Sequence, residues 1–150
     1  MENNRSSILN KINKNQTIVF TNGCFDLLHE GHLHLLKEAR KLGDILIIGI
    51  NDDASVKRLK GNARPIENLE TRILNLKNTG FADFIIPFTE DTPLSLIEQL
   101  QPKIIVKGGD YIRENIIGNN IAEQTIIIPI KEGFSTTKKI EFLQKNKPLS

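Results

Sequence analysis

The chain has 150 residues, 39% of them hydrophobic, with a formal net charge of +2 and a single cysteine. That is apolar content for one ordinary core, too mild a charge for a nucleic-acid partner, and no intramolecular disulfide. The N-terminal "MENNRSSILNKINKNQ" has no apolar secretory stretch, and the longest apolar run, Ile45–Ile50, is far too short for a bilayer, so a cytoplasmic protein with no membrane partner is expected.

Residues 1–15 read as a helical or flexible N-terminal extension to a single domain spanning 1–150. "TIVFTN" (Thr17–Asn22) predicts a first strand, and a helix comes after it from about Glu30 to Leu42, with Gly43 where a C′ glycine would end it. "ILIIGI" (Ile45–Ile50) is continuously apolar, the pattern of a strand buried on both faces. A short helix over Asp53–Leu59, a basic loop "KGNARPIEN" and a helix over Leu69–Asn78 come next. "DFIIPF" (Asp83–Phe88) is a third strand. Thr92 and Pro93 make an N-cap and first-turn pair for a helix to about Leu100. "KIIVKGG" and "TIIIPI" (Thr125–Ile130) are the fourth and fifth strands, and Ser135 can cap a last helix to about Gln144.

Apolar strands separated by helices predict an α/β fold: a Rossmann-like, doubly wound, five-stranded parallel sheet flanked by helices. Such sheets bind ligands beyond the carboxyl ends of their strands. The chemically unusual stretches fall there: "NGCFDLLHEGH" after strand one, "NDDASVKRLKG" after strand two, "KGGDY" after strand four and "KEGFSTT" after strand five.

All three histidines and the cysteine lie in "TNGCFDLLHEGHLHLL", Thr21–Leu36. His29 and His32 are three apart, on one face of a helix's opening turn. Gly31 between them leaves the backbone open to a ligand. First-turn N–H groups lack internal partners and the helix dipole adds positive potential, so a phosphate is the natural occupant. Two imidazoles aimed at it could stabilise charge that develops during phosphoryl or nucleotidyl transfer. Other readings stay open on these residues alone. A zinc site needs about four ligands and only His29, His32 and Cys24 are near, with no CxxC or HExxH partner. Cys24 as a nucleophile lacks a base and an orienting group in sequence. His34 lies outside the pair and reads as structural.

"TNGCFDLLHEGH" resembles the first signature of the nucleotidyltransferase superfamily that carries an HxGH motif, and "KEGFSTT" (Lys131–Thr137) resembles its second. The resemblance runs from about Lys14 to Leu143. With "DASVKRLKGNARPI" and "VKGGDY" it is most similar to the adenylyltransferase domain of bacterial ADP-heptose synthases. Those enzymes couple heptose 1-phosphate to ATP on the way to the lipopolysaccharide inner core or related surface glycans.

The resemblance implies roles for individual residues. His29 and His32 meet the nucleotide phosphates as catalytic residues, with Lys60 beside them. Thr21, Asn22, Gly23, Cys24, Phe25 and Gly31 lie against the nucleotide, and Asp26 helps to shape the turn and the sugar-phosphate or pyrophosphate subsite. Lys57, Arg64 and Arg72 are further candidates for that subsite; each is otherwise a plain surface charge. Gly108 and Gly109 let the nucleoside approach, Asp110 accepts from the ribose and Tyr111 packs nearby. Ser135, Thr136 and Thr137 form a second phosphate cradle at the start of the last helix. Mg²⁺ is expected to arrive with ATP, held by phosphates and water with no dedicated protein ligands. A homodimer is expected. The ADP-heptose synthases are often fused to a sugar kinase; here a separate kinase would supply the sugar 1-phosphate.

Glycerol-phosphate cytidylyltransferases usually read Arg-Thr-x-Gly-Ile-Ser-Thr at the second signature. Ile130 stands where that arginine would be, with Lys131 one place later, which weakens a CTP-dependent reading. CTP with glycerol 3-phosphate, ATP with FMN, and a nucleotide-binding module without chemistry are the alternatives.

Overall fold

The structure, a computed structural model, describes residues 5–13, 15–109 and 113–129. Its elements are α1 (Arg5–Lys11), β1 (Ile18–Gly23), α2 (Glu30–Arg40), β2 (Ile45–Asn51), α3 (Asp53–Lys60), α4 (Leu69–Asn78), β3 (Phe84–Phe88), α5 (Leu94–Leu100), β4 (Ile104–Gly108) and β5 (Gln124–Ile128). The five strands form one parallel sheet in the order β3-β2-β1-β4-β5, as the expected fold class requires. Successive strands step from β1 to β2 to β3 on one side, then return to the other side of β1 for β4. The crevice between β1 and β4 is therefore the topological switch point.

Side chains alternate across a strand, so a sheet covered on both faces needs apolar residues at every position. Leu46, Ile48 and Ile50 of β2 face a cluster with Leu35, Leu36 and Ala39 of α2 and Leu76 of α4. Ile45 and Ile47 face the opposite cluster, with Ile8 of α1 and Leu96, Ile97 and Leu100 of α5. Ile8 is fully buried, so part of the expected N-terminal extension belongs to the core. Pro87 is tolerated in β3 because that strand is at the sheet's edge.

Several boundaries differ from those expected. The first strand runs one residue later, and α2 stops at Arg40, where the N–H of Lys41 bonds back to Glu38 and Ala39. Gly43 is not a left-handed cap. A Cβ there would lie 2.7 Å from the Thr17 carbonyl oxygen, so this glycine admits the neighbouring backbone. Helix α5 begins at Leu94 with Pro93 as its N-cap; the Thr92 hydroxyl accepts the Leu94 N–H at 3.4 Å. β5 ends at Ile128, two residues early. The expected last helix lies outside the described residues.

Candidate active site

The β1–β4 ladder is short: Val19 faces Ile104 and Phe20 faces Ile105, whereas β1 pairs with β2 through Gly23. Past Phe20, side chains bridge the two strands. The Thr21 hydroxyl donates to the Val106 carbonyl at 2.8 Å, and the Lys107 ammonium donates to the Asn22 carbonyl at 3.3 Å. The carboxyl ends thus separate at the switch point, and the turn leading to α2 sits at the mouth.

That turn is contorted. Phe25 and Leu27 both have positive φ, 51° and 64°, a conformation that costs a non-glycine residue about 1–2 kcal/mol. Anchors on both sides hold it. Phe25 is fully buried, the Leu27 N–H donates to Glu67 at 3.1 Å, and the Cys24 carbonyl accepts from Arg72 at 2.9 Å.

The turn delivers His29 as the N-cap of α2. Its Nδ1 accepts the Gly31 N–H at 3.0 Å, and Nδ1 of His32 accepts the His29 N–H at 3.3 Å. This is a capping box built from two imidazoles instead of a hydroxyl and a carboxylate. It has a chemical consequence. An imidazole that accepts at Nδ1 carries its proton at Nε2, so both rings present Nε2–H donors. The rings stack at 3.8 Å between centroids, and the Phe25 ring meets His32 edge-on. His32 is 3% exposed, and burial, with the charges of His29 and Lys60, lowers its pKa to about 3. It is a neutral donor across the physiological range. Among the described residues its Nε2 has no hydrogen-bond partner, and a buried donor left unmatched costs about 1–3 kcal/mol.

The four expected cations are placed differently. Lys60, at the end of α3, lies close enough for its charge to act on both His32 and Cys24. Arg64 is tied to Asp26, Nε to Oδ2 at 2.7 Å. Asp26 also accepts the N–H groups of Ile66 and Glu67 at 2.8 and 2.9 Å. Burial works to raise its pKa, but these backbone bonds and Arg64 prevail and lower it. Asp26 therefore fastens the basic loop to the histidine turn. Lys57 is exposed on α3.

Arg72 corrects the expectation of a substrate contact. It is fully buried and donates to the carbonyls of Glu67, Cys24 and Asn51 and to the Asp53 carboxylate. All three of its nitrogens are engaged with protein, so it joins the turn after β1, the end of β2 and the basic loop. Cys24 is 4% exposed and burial raises its thiol pKa, with Lys60, Arg72 and Arg64 opposing; such a thiol stays protonated.

The structure thus gathers Thr21, Asn22, Gly23, Cys24, Phe25, Asp26, His29, Gly31, His32, Lys60 and Arg64 around one corner. Gly108 ends β4, and the N–H of Gly109 donates to Ile128 at 3.0 Å. Asp110, Tyr111, Ser135, Thr136 and Thr137 lie outside the described residues. His34 lies apart from the pair, lining a groove of about 880 Å³ with Leu27, Leu33, Lys37, Asn75 and Phe81. Sequence reasoning missed Lys107 and Glu67. A lysine inside an apolar parallel strand was the available signal for the first; nothing local marked the second.

Among the described residues no group of three or more His, Cys, Asp and Glu side chains could hold a metal ion. The nearby carboxylates are engaged: Asp26 with the basic loop, Asp52 capping α3 through the Ser55 N–H, and Asp53 with Arg72. Among the described residues, no helix is long and apolar enough to cross a membrane.

The profile of the cytidylyltransferase-like family matches residues 20–142, a span that starts in β1 and takes in the whole histidine corner. The chain belongs to that family. It is a nucleotidyltransferase by that membership. The cytidylyltransferase-like chain is 50% identical over 134 residues to the bifunctional protein HldE of Helicobacter hepaticus, across 89% of this chain and 28% of that one. It is 47% identical over 145 residues to HldE of Campylobacter jejuni, across 96% of this chain and 32% of that one. The chain therefore spans about a third or less of the curated relatives it matches. Among solved structures it is similar to a lipopolysaccharide core biosynthesis protein from Thermoplasma volcanium, with 28% identity and a TM-score of 0.66 over 78% of this chain and 99% of that one. It shares the fold of pantoate-beta-alanine ligase from Francisella tularensis, with 18% identity and a TM-score of 0.67 over 94% of this chain and 74% of that one.

Proposed function

We propose that this nucleotidyltransferase transfers AMP from ATP to heptose 1-phosphate, giving ADP-heptose and pyrophosphate. The observation that carries the reading is the histidine capping box, which leaves His32 a buried, neutral Nε2–H with no acceptor among the described residues. Identity to HldE over 89% of the chain supports the choice of adenylyl donor and heptose acceptor.

The reaction is an in-line displacement. An oxygen of the sugar 1-phosphate attacks the α-phosphorus of ATP. The bond from that phosphorus to the bridging oxygen breaks, and pyrophosphate leaves with the electron pair. The attacking phosphate is already anionic, so no protein nucleophile or general base is assigned. His29 and His32 donate to phosphate oxygens that gain charge, while Lys60 and Arg64 supply positive potential on the acceptor and pyrophosphate side. Mg²⁺, bound to the nucleotide, supplies further charge neutralisation. A sugar kinase supplies the acceptor, and the enzyme acts as a cytoplasmic homodimer in this reading.

The test is pyrophosphate release with Mg²⁺ and either ATP or CTP, each paired with heptose 1-phosphate, glycerol 3-phosphate and FMN. Release with ATP and heptose 1-phosphate alone is the expected result. Release only with CTP, or only with FMN, would overturn the substrate assignment and keep the chemistry. Nucleotide binding with no release from any pair would favour a binding module.

A further inference from the structure

Lys107 is the fourth residue of β4, preceded by Ile104, Ile105 and Val106. β4 lies inside the sheet, between β1 and β5, where a charge must find a polar partner to offset its lost hydration. The neighbouring position on β5 is Ile127, which offers none. Across the opened gap to β1, the ammonium meets the Asn22 carbonyl at 3.3 Å. Burial lowers its pKa to about 8, and Cys24, on the turn beyond β1, acts the other way.

Two residues further along that turn, the Cys24 carbonyl is held by Arg72 from α4. Two cations from different elements therefore grip two carbonyls of one three-residue segment. A peptide group is planar and trans, so its C=O and N–H point in opposite directions. Anchoring the oxygens of Asn22 and Cys24 sets the directions of the Gly23 and Phe25 N–H groups. It also neutralises two partial negative charges at the mouth of a crevice that has to accept an anion.

We infer that Lys107 is a positioning residue of the nucleotide site, holding the Asn22 carbonyl from β4 while Arg72 holds that of Cys24 from α4. The inference rests on the nucleotidyl-transfer reading. Arg72 supports three elements at once, whereas Lys107 reaches across the crevice itself to Asn22, so Lys107 is the residue to change.

The experiment compares the unaltered protein, Lys107→Met and Lys107→Arg for MgATP affinity by calorimetry from pH 6.5 to 9.5, with thermal melting as the check on folding. An ammonium grip is present below its pKa and lost as the pH rises through it. The unaltered protein should therefore bind MgATP more weakly above about pH 8. The Cys24 thiol, raised by burial from an ordinary value of 9.0, titrates above that limb. Lys107→Met should melt normally, bind about tenfold or more weakly at pH 7, the scale of one charged hydrogen bond, and lose the alkaline limb. Lys107→Arg should recover most of the affinity and also lose the limb, because a guanidinium stays charged throughout. If Lys107→Met instead binds with unchanged affinity and the same limb, the inference is wrong. If Lys107→Met does not fold, Lys107→Arg decides: a limb kept near pH 8 in that variant overturns the inference, and its loss supports it. Failure of the unaltered protein to bind MgATP at all, and to release pyrophosphate, would overturn the nucleotidyl-transfer reading itself.

Discussion

Nδ1 of His32 accepts the backbone N–H of His29, three residues earlier, and this one bond determines which nitrogen of His32 faces outward from the helix cap. A capping contact thereby sets a tautomer. The HxGH spacing is the spacing of a capping box, and among the described residues the Nε2 of His32, which helps to finish the helix, has no partner.

His32→Ala should lower turnover about 10²–10³-fold, the usual scale for losing one preorganised donor. His29→Ala should fall in the same range. Steady-state pyrophosphate release is the measurement, and near-normal turnover in His32→Ala would remove that residue from the mechanism.

Stability should depend on acid through His32. Its pKa is about 3 in the folded chain against 6.5 as the ordinary value. Above 6.5 neither state binds the proton. Below it the unfolded chain does and the folded chain does not, so stability falls with pH between 6.5 and 3. The slope approaches about 1.4 kcal/mol per pH unit, or about 2 kcal/mol between pH 6.5 and 5. Urea unfolding at pH 7 and pH 5 should show this loss, and His32→Asn should reduce it.

Asp26→Asn should loosen the basic loop. The variant loses the ion pair to Arg64 and weakens the contacts to Ile66 and Glu67, at a cost of about 1–3 kcal/mol. The expected result is faster proteolytic nicking between Gly61 and Glu67 and a higher KM for the acceptor, with a smaller change in KM for ATP. The lowered pKa of Asp26 means that its contribution in the parent is complete above the ordinary carboxylate range and fades only as pH falls through the lowered value.

Arg72→Met should destabilise the protein by about 3–5 kcal/mol, the range for removing one partner of a buried charged network. The carbonyls of Cys24, Asn51 and Glu67 and the Asp53 carboxylate each lose a donor. The urea midpoint should drop sharply. A drop in activity with an unchanged midpoint would instead make Arg72 a substrate contact.

Much of the architecture can be read along the chain because it is written in short-range patterns. "ILIIGI" is apolar at every position, and a parallel strand covered on both faces requires that. Asn68 capping α4 and Asp52 capping α3 act within three residues of themselves. The position of His29 and His32 in a helix's first turn is local in the same sense, and so is the placing of the site beyond the strand ends. Arg72, Lys107 and Gly43 are different. A surface arginine and a buried one look the same in "LETRILNLKN", and only packing of α4 against the ends of β1 and β2 makes Arg72 a staple. Gly43 has the sequence position of a helix cap, yet its missing Cβ makes room for the Thr17 backbone, 26 residues earlier in the chain.

The sequence alone determined the strand and helix alternation and the two-histidine corner, because periodicity and capping depend on residues a few places apart. Tertiary structure alone decided that β4 would lie beside β1. Their ladder stops after Phe20, Asn22 comes to face Lys107, and the crevice opens there. Those contacts join residues some 85 positions apart, and no local pattern carries information over that distance.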